Sequence, residues 1–279
     1  MIPSLLAASL AILPAEEQAD ATSDPASDVP PPPEDLLDDE HFREELAINE
    51  FTAPSTAKIF DSLEALAPLP WEDHPREIPK RMPLDRADLA VELGFLIADG
   101  FLVVQVGELG KIEDLSVQLT RYAKALGAGD RVNSHATSLL ESAKNEDVKQ
   151  LKKELAATQR DVELDLVELR DADLAHLISL GGWIRALEVG SGAVNKLFSP
   201  DRARHIMRED IADYYSAIIG SLEPRIAERQ TYIDMQTVLS GMRTEMLIEE
   251  GKEPTAEKVS EIHKQAKRLV ELSLTRAKP

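Results

Sequence analysis

Apolar residues recur at steps of three or four through most of the chain after residue 34, which is the spacing of an amphipathic α-helix. No stretch shows the alternation of apolar and polar residues, bounded by turn signals, that predicts a β-strand. Proline, glycine and capping residues divide the helical pattern into segments. The predicted helices lie near residues 36–46, 54–66, 84–106, 109–126, 130–145, 147–169, 172–198, 200–220, 223–249 and 255–275.

Short connections separate most of these predicted helices. Ser199 provides a helix cap and Pro200 a first helical residue, while Gly251 and Pro254 separate the last two helices. Connections of only a few residues place neighbouring helices antiparallel to each other. We therefore predict an all-α fold, with a single domain of about ten antiparallel-connected helices over residues 34–279.

The longest predicted loop spans residues 67–83 and contains five prolines, which forbid regular structure. A loop of this length is either functional or held to the surface by its own side chains. We expect a strap across the helices, with Trp71 in a helix groove.

The first residues carry the pattern of an export signal. An apolar run over residues 5–13 is followed by Ala19-Asp20-Ala21, which has the small-x-small form of a signal-peptidase site, although no Lys or Arg precedes the run. We predict a signal peptide over residues 1–21 and a periplasmic or extracellular location. If the run is not a signal, the protein is expected to be cytoplasmic. Residues 22–33 are rich in Ser, Asp and Pro, which predicts a disordered acidic tether.

Composition narrows the possible partners. The net charge is −20, of which the first 50 residues contribute −12 because they hold 13 acidic residues and one Arg. No basic face stands out, so a nucleic-acid partner is not expected. The most apolar stretches are interrupted by Asp99 in one case and by Arg185 and Glu188 in the other, so we predict no membrane span. The chain has no cysteine, which excludes thiolate catalysis and cysteine-ligated metals.

Two predicted helices carry small residues at steps of three or four, which places them on one face. Glycine inside a helix costs about 1 kcal/mol relative to alanine, so several on one face indicate close approach of another backbone. Tight packing between core helices is one interpretation, and a groove for a flat ligand or a partner's helix is the other. The residues of this predicted close-packing surface or groove are Gly94, Ala98, Gly182, Ala186 and Gly190.

The sequence contains no familiar nucleophile, phosphate-binding or metalloprotease motif. The best candidate metal ligands are His205, Glu209 and Asp213, whose i, i+4, i+8 spacing would place them on one face of a helix. Three arginines are interleaved with them, so a surface ion-pair network explains the pattern better. His176 follows Asp173 at the spacing used in di-iron bundles, but the motif occurs once.

The few aromatic residues are candidates for core packing or for a protein interface: Trp71, Trp183, Tyr214 and Tyr215. We predict a non-catalytic, exported helical module of the cell envelope that binds an unknown protein partner or forms a scaffold, with no cofactor. The alternative is a helical-bundle protein with a metal or small-ligand site, potentially enzymatic, built on His205, Glu209 and Asp213 or around His176. The sequence does not indicate an oligomeric state.

Overall fold

The structure is a computed structural model that describes residues 54–70, 81–129 and 132–275, together with Pro30, Asp35, Asp73, Arg76, Glu77 and Pro79. This part of the chain consists of helices joined by turns, and no strand occurs in it, which confirms the predicted all-α fold. The α-helices are α1 (Thr56–Leu63), α2 (Arg86–Val106), α3 (Ile112–Leu126), α4 (Val132–Lys144), α5 (Val148–Glu168), α6 (Ala172–Lys196), α7 (Pro200–Arg204), α8 (Glu209–Ser221), α9 (Pro224–Ala227), α10 (Gln230–Met246) and α11 (Ala256–Ser273).

Helices α2 and α6 form the centre of the fold and pack against each other along their length. Both are buried on nearly every side, which explains why their sequences are apolar all round. Helices α3 and α5 pack on this pair, and α4 packs outside them on α3 and α5. Helix α11 packs on α6 and, through α10, connects to α8. The central pair is therefore enclosed by the remaining helices.

Local signals fix both ends of α2. The Asp85 carboxylate accepts hydrogen bonds from the main-chain N–H groups of Ala87 and Asp88, and the helix ends at Gly107 with φ 80° in the left-handed region. By length and composition α2 is the one helix of the described residues that could cross a membrane. However, 89% of its apolar window is buried inside the protein.

Glycines bring the backbones of α2 and α6 into contact. A Cβ atom added at Gly94 would lie 2.0 Å from the carbonyl oxygen of Ile178 and 2.8 Å from the main-chain nitrogen of Gly182. A Cβ atom added at Gly181 would lie 2.1 Å from the carbonyl oxygen of Val91. Since these neighbours are main-chain atoms, no side-chain movement could make room, and the two helices can approach this closely only through glycine.

The single helix predicted over residues 200–220 is wrong, because two helices, α7 and α8, occupy this range. The turn between them buries Ile206 and presents Arg208, whose guanidinium donates to both carboxylate oxygens of Asp35 at 2.7 and 2.9 Å and also binds Asp210. No proline or glycine lies in this turn. These tertiary contacts account for the interruption.

The single helix predicted over residues 223–249 is likewise wrong, since α9 and α10 are separate. Arg229 leaves the helical conformation, with φ −68° and ψ 134°. Its guanidinium binds Asp85 at 3.0 Å and Asp88, both at the start of α2. The ion pairs therefore favour a break that the local sequence does not indicate.

Several predictions concern residues that lie outside the described part of the chain. These are the signal peptide over 1–21, the helix near 36–46, Trp71, and the tether over 22–33 apart from Pro30. They stay predictions.

Candidate functional site

Helix α1 presents one apolar face to the rest of the protein. It begins at Ser55, whose hydroxyl accepts a hydrogen bond from the main-chain N–H three residues later, and it continues as a 3₁₀ turn to Leu66. Ile59, Phe60, Leu63 and Leu66 are buried. Their spacing, i, i+1, i+4 and i+7, is that of a helix that lays one face into a groove.

The groove that receives α1 lies on α6 and owes its depth to two glycines. A Cβ atom added at Gly182 would lie 2.4 Å from the Thr56 hydroxyl, and one added at Gly190 would lie 2.9 Å from a methyl carbon of Leu63. Gly94 of α2 and Gly181 of α6 let these two helices meet, whereas Gly182 and Gly190 of α6 admit α1. The predicted small-residue surface thus contacts two different helices of the same chain.

Two side chains bind the main chain at the start of α1. The Ser179 hydroxyl donates to the carbonyl oxygen of Pro54 at 2.7 Å, and the main-chain N–H of Thr56 donates to Gln159 Oε1 at 3.1 Å. Thr56 Oγ1 is buried and has no hydrogen-bond partner among the described residues. The start of α1 is therefore held through its main chain, while its own hydroxyl is left unsatisfied.

Two further side chains bind the main chain towards the end of α1. Gln105 Nε2 donates to the carbonyl oxygen of Phe60 at 2.9 Å, and Arg202 Nη2 donates to that of Leu66 at 3.0 Å. Side chains from four different helices therefore bind the main chain of this short segment. We call the groove and these side chains the α1 seat, which comprises Gln105, Gln159, Ser179, Gly182, Gly190 and Arg202.

Three of the four aromatic residues predicted at an interface lie beneath the α1 seat. The ring of Tyr215 is 5.1 Å from the ring of Trp183 and 5.1 Å from that of Tyr214, measured between centroids. The Tyr215 hydroxyl is 2.6 Å from Ser179 Oγ. Because the single hydrogen of Ser179 goes to Pro54, Tyr215 is the donor in this bond. Burial raises the pKa of Tyr215 well above its ordinary value, so the hydroxyl keeps its proton.

His176 lies beside this aromatic cluster. Its Nδ1 is 3.3 Å from the Tyr214 hydroxyl, and burial lowers the pKa of His176 to about 4. Asp173 instead accepts a hydrogen bond from the main-chain N–H of Glu223 at 2.8 Å. The two residues that share the di-iron spacing thus contact different parts of the fold, and a ligand site around His176 stays a prediction.

The three candidate metal ligands do not share one helix. His205 is exposed at the end of α7, Glu209 begins α8, and Asp213 pairs with Arg243 at 3.4 Å. The break between α7 and α8 removes the i, i+4, i+8 geometry on which this prediction depends. Among the described residues, no group of three or more His, Asp or Glu is placed to hold a metal ion. Arg204 and Arg208 form ion pairs here, as the interleaved charges indicated.

The charges that interrupt the two most apolar helices bind each other in the core. Arg185 Nε donates to Asp99 Oδ1 at 2.7 Å, and its Nη1 donates to Glu188 Oε2 at 2.5 Å. The Arg185 side chain is only 2% exposed. Burial acts to lower the pKa of Arg185, but Asp99 and Glu188 raise it overall, so the guanidinium stays charged.

The same cluster holds the segment that precedes α2. Arg76 Nη1 donates to Asp99 Oδ2 at 2.7 Å, its Nη2 is 3.5 Å from Glu92 Oε1, and its Cζ lies 5.0 Å from the centre of the Phe95 ring. This contact pins the proline-rich connection to the core. Charges of opposite sign interrupt the apolar sequences of α2 and α6, and this pattern could have indicated the cluster. No feature of the sequence indicates that Arg76 joins it.

A serine and a histidine also meet near this cluster, between α6 and α11. Ser191 Oγ is 3.0 Å from His263 Nδ1 and 3.2 Å from the carbonyl oxygen of Glu188. Ser191 has no exposed surface, so a substrate could not reach its hydroxyl in this conformation.

Comparison with known proteins finds no matching family model, curated protein or solved structure.

Proposed function

We propose that this protein is a non-catalytic, exported binding module of the cell envelope, and that it binds a helical segment of a protein partner in the α1 seat. In the free protein its own α1 occupies the seat. The observation that carries this proposal is that side chains from four different helices bind the main chain of residues 54–66, the segment that contains α1. These side chains are Gln105, Gln159, Ser179 and Arg202.

Binding through the main chain does not depend on the side chains of the bound segment. The apolar anchors supply selectivity, because a ligand must place apolar residues at i, i+1, i+4 and i+7 to match the positions of Ile59, Phe60, Leu63 and Leu66. Gly182 and Gly190 further require a small or flexible side chain opposite them. A partner helix with this pattern could replace α1 without any change in the seat.

Two features favour replacement of α1. Its eight residues are too few to form a stable helix without the seat, so α1 gains its structure only by docking. The buried hydroxyl of Thr56 has no hydrogen-bond partner in the described part of the chain, which costs about 1–3 kcal/mol, and a partner with an apolar residue at this position would avoid that cost. The tether opposes replacement: α1 belongs to the same chain as the seat, so a partner must compete with a local concentration of α1 on the order of millimolar.

The first test weakens the resident helix and supplies it again as a peptide. Phe60 is fully buried and its ring lies 5.7 Å from that of Phe101, so Phe60→Ala in the full chain should cost about 3–5 kcal/mol. A synthetic peptide of residues 54–67 should then raise the melting temperature, with a stabilisation of about 2.7 kcal/mol at 100 times its dissociation constant. The same peptide carrying Phe60→Ala is the matched control.

The second test locks α1 in place. A Cβ atom at Gly182 would lie 3.4 Å from the Cβ of Thr56, near the mean of about 3.8 Å in disulfides, and the chain has no other cysteine. In the Phe60→Ala background, the Thr56→Cys, Gly182→Cys variant should bind a labelled peptide of residues 54–67 when reduced but not when oxidised. This peptide carries Thr56→Gly, which makes room for the side chain introduced at position 182. The proposal fails if the peptide neither stabilises the Phe60→Ala protein nor distinguishes the two redox states.

A further inference from the structure

Helix α4 is the outermost helix of the α3–α5 group and has a small apolar contact. Of its 13 residues, Val132, Leu139 and Ser142 are buried, and it packs on α3 and α5 rather than on the central pair. An element with few buried apolar residues opens more readily than the core. Polar contacts therefore contribute a large share of what holds α4 in place.

The main polar contact is made by His135. Its Nδ1 is 2.7 Å from Glu154 Oε2 and its Nε2 is 2.9 Å from Asp161 Oδ2, and both carboxylates belong to α5. The imidazole is 15% exposed. A neutral imidazole has one N–H, whereas this geometry uses both ring nitrogens as donors to carboxylates, so the ring in this position is the doubly protonated imidazolium.

Among the described residues, no cation acts on the pKa of His135. Glu154 also accepts from Gln150 Nε2 at 2.6 Å and binds Ser138, neither of which is charged. Helix α3, the other neighbour of α4, carries Glu113, Asp114, Arg121 and Lys124, and among the described residues none of these forms a hydrogen bond or ion pair with His135. Helix α5 also carries Lys149, Lys153 and Arg160, but among the described residues the charges that act on the ring are the two carboxylates of α5.

We propose that His135 is a pH-operated clasp, which holds α4 on α5 while the imidazole is protonated and releases α4 when it is not. Loss of the proton removes the bond from His135 to one of the two carboxylates, and it removes the positive charge between Glu154 and Asp161. The clasp does not depend on the α1 seat. Only one residue of the seat, Gln159, lies on α4 or α5.

The direction of the pH dependence follows from the hydrogen bonds. Burial acts to lower the pKa of His135, but the bonds to Asp161 and Glu154 raise it overall above 6.5, and Glu154 has a lowered pKa in return. A raised pKa in the folded state means that the clasp is fully closed below pH 6.5. It opens as the pH rises through the folded pKa.

Amide hydrogen exchange of the full chain tests the clasp. After exchange rates are corrected for the intrinsic effect of pH, they give the opening equilibrium constant of α4 relative to that of α6. This constant should rise between pH 6 and pH 9 by about tenfold for each unit by which the pKa of His135 exceeds 6.5. Nuclear magnetic resonance titration of His135 provides that pKa. His135→Gln should make α4 open at both pH values, whereas His205→Gln, at an exposed histidine, should keep the pH dependence.

A second variant covers the case in which His135→Gln fails to fold. Asp161→Asn keeps the imidazole but removes one carboxylate, so the pKa of His135 should fall and α4 should open at a lower pH. The clasp is refuted if His135 titrates at or below 6.5 in the wild-type protein. It is also refuted if α4 exchange does not depend on pH, or if its pH dependence persists unchanged in either variant.

Discussion

The contact between α2 and α6 can be tested with one methyl group. In Gly94→Ala the new Cβ would lie 2.0 Å from the carbonyl oxygen of Ile178, whereas ordinary contacts begin at 3.4 Å. The backbones would have to separate locally by about 1.4 Å, because both neighbours of the new atom belong to the main chain of α6. The change cannot be absorbed by a rotamer.

The expected cost combines two opposing effects. Overpacking of a core costs about 1–3 kcal/mol, and this overlap belongs at the upper end of that range because it involves main-chain atoms. Replacing glycine by alanine inside a helix returns about 1 kcal/mol. The net destabilisation should be about 2 kcal/mol, which for a domain of this size lowers the melting temperature by about 4–8 °C.

Gly241→Ala is the matched control. Gly241 lies inside α10, and a Cβ there would be 3.8 Å from Gln265 Nε2, an ordinary contact. The control should therefore show only the helix gain and stabilise the protein by up to about 1 kcal/mol. Calorimetry of the two variants and of the wild-type protein measures the change in melting temperature that each substitution causes. If Gly94→Ala raises the melting temperature as Gly241→Ala does, the backbones of α2 and α6 are not in contact at Gly94.

Two more predictions concern buried ionisable groups. Arg185→Met removes the guanidinium that binds Glu188 and one oxygen of Asp99, so it should lower the free energy of unfolding by about 3–5 kcal/mol. Urea unfolding measures this change. A loss below about 1 kcal/mol would show that water reaches the cluster. His176 has a pKa lowered from 6.5 to about 4, so its contribution of about 3 kcal/mol is present above pH 6.5 and is lost as the pH falls towards 4. His176→Gln should flatten this part of the pH–stability profile, and an unchanged profile would contradict the burial of a neutral imidazole.

Local signals allowed most helices to be predicted. The cap at Asp85 and the left-handed Gly107 set the ends of α2, and both can be recognised in the sequence. The breaks within 200–220 and 223–249 could not be predicted, because they depend on ion pairs between residues far apart in the chain. The Arg229 contacts with the start of α2 are an example, since the two partners are separated by more than 140 residues.

Only part of the candidate site could be predicted from the sequence, and the reason is geometric. Steps of three or four residues group Gly182 and Gly190 on one face of α6, which is the face that receives α1. Gly181 precedes Gly182 by one residue, or about 100° around the helix, and faces α2 instead. Periodicity therefore identified a surface of small residues. It could not show which helix would cover each side of it.

The buried ion pair and the glycine contact together determine how α2 and α6 align. Two helices that are apolar all round could in principle slide by one turn, about 5.4 Å, at little cost in buried apolar area. Such a slip would move Arg185 away from Asp99 and leave both charges in the core, which costs far more than the pair contributes when formed. It would also bring side chains against Gly94 and Gly181, where only hydrogen fits. The charges inside these apolar helices therefore specify this register, and α1 packs into the groove that the correct register creates.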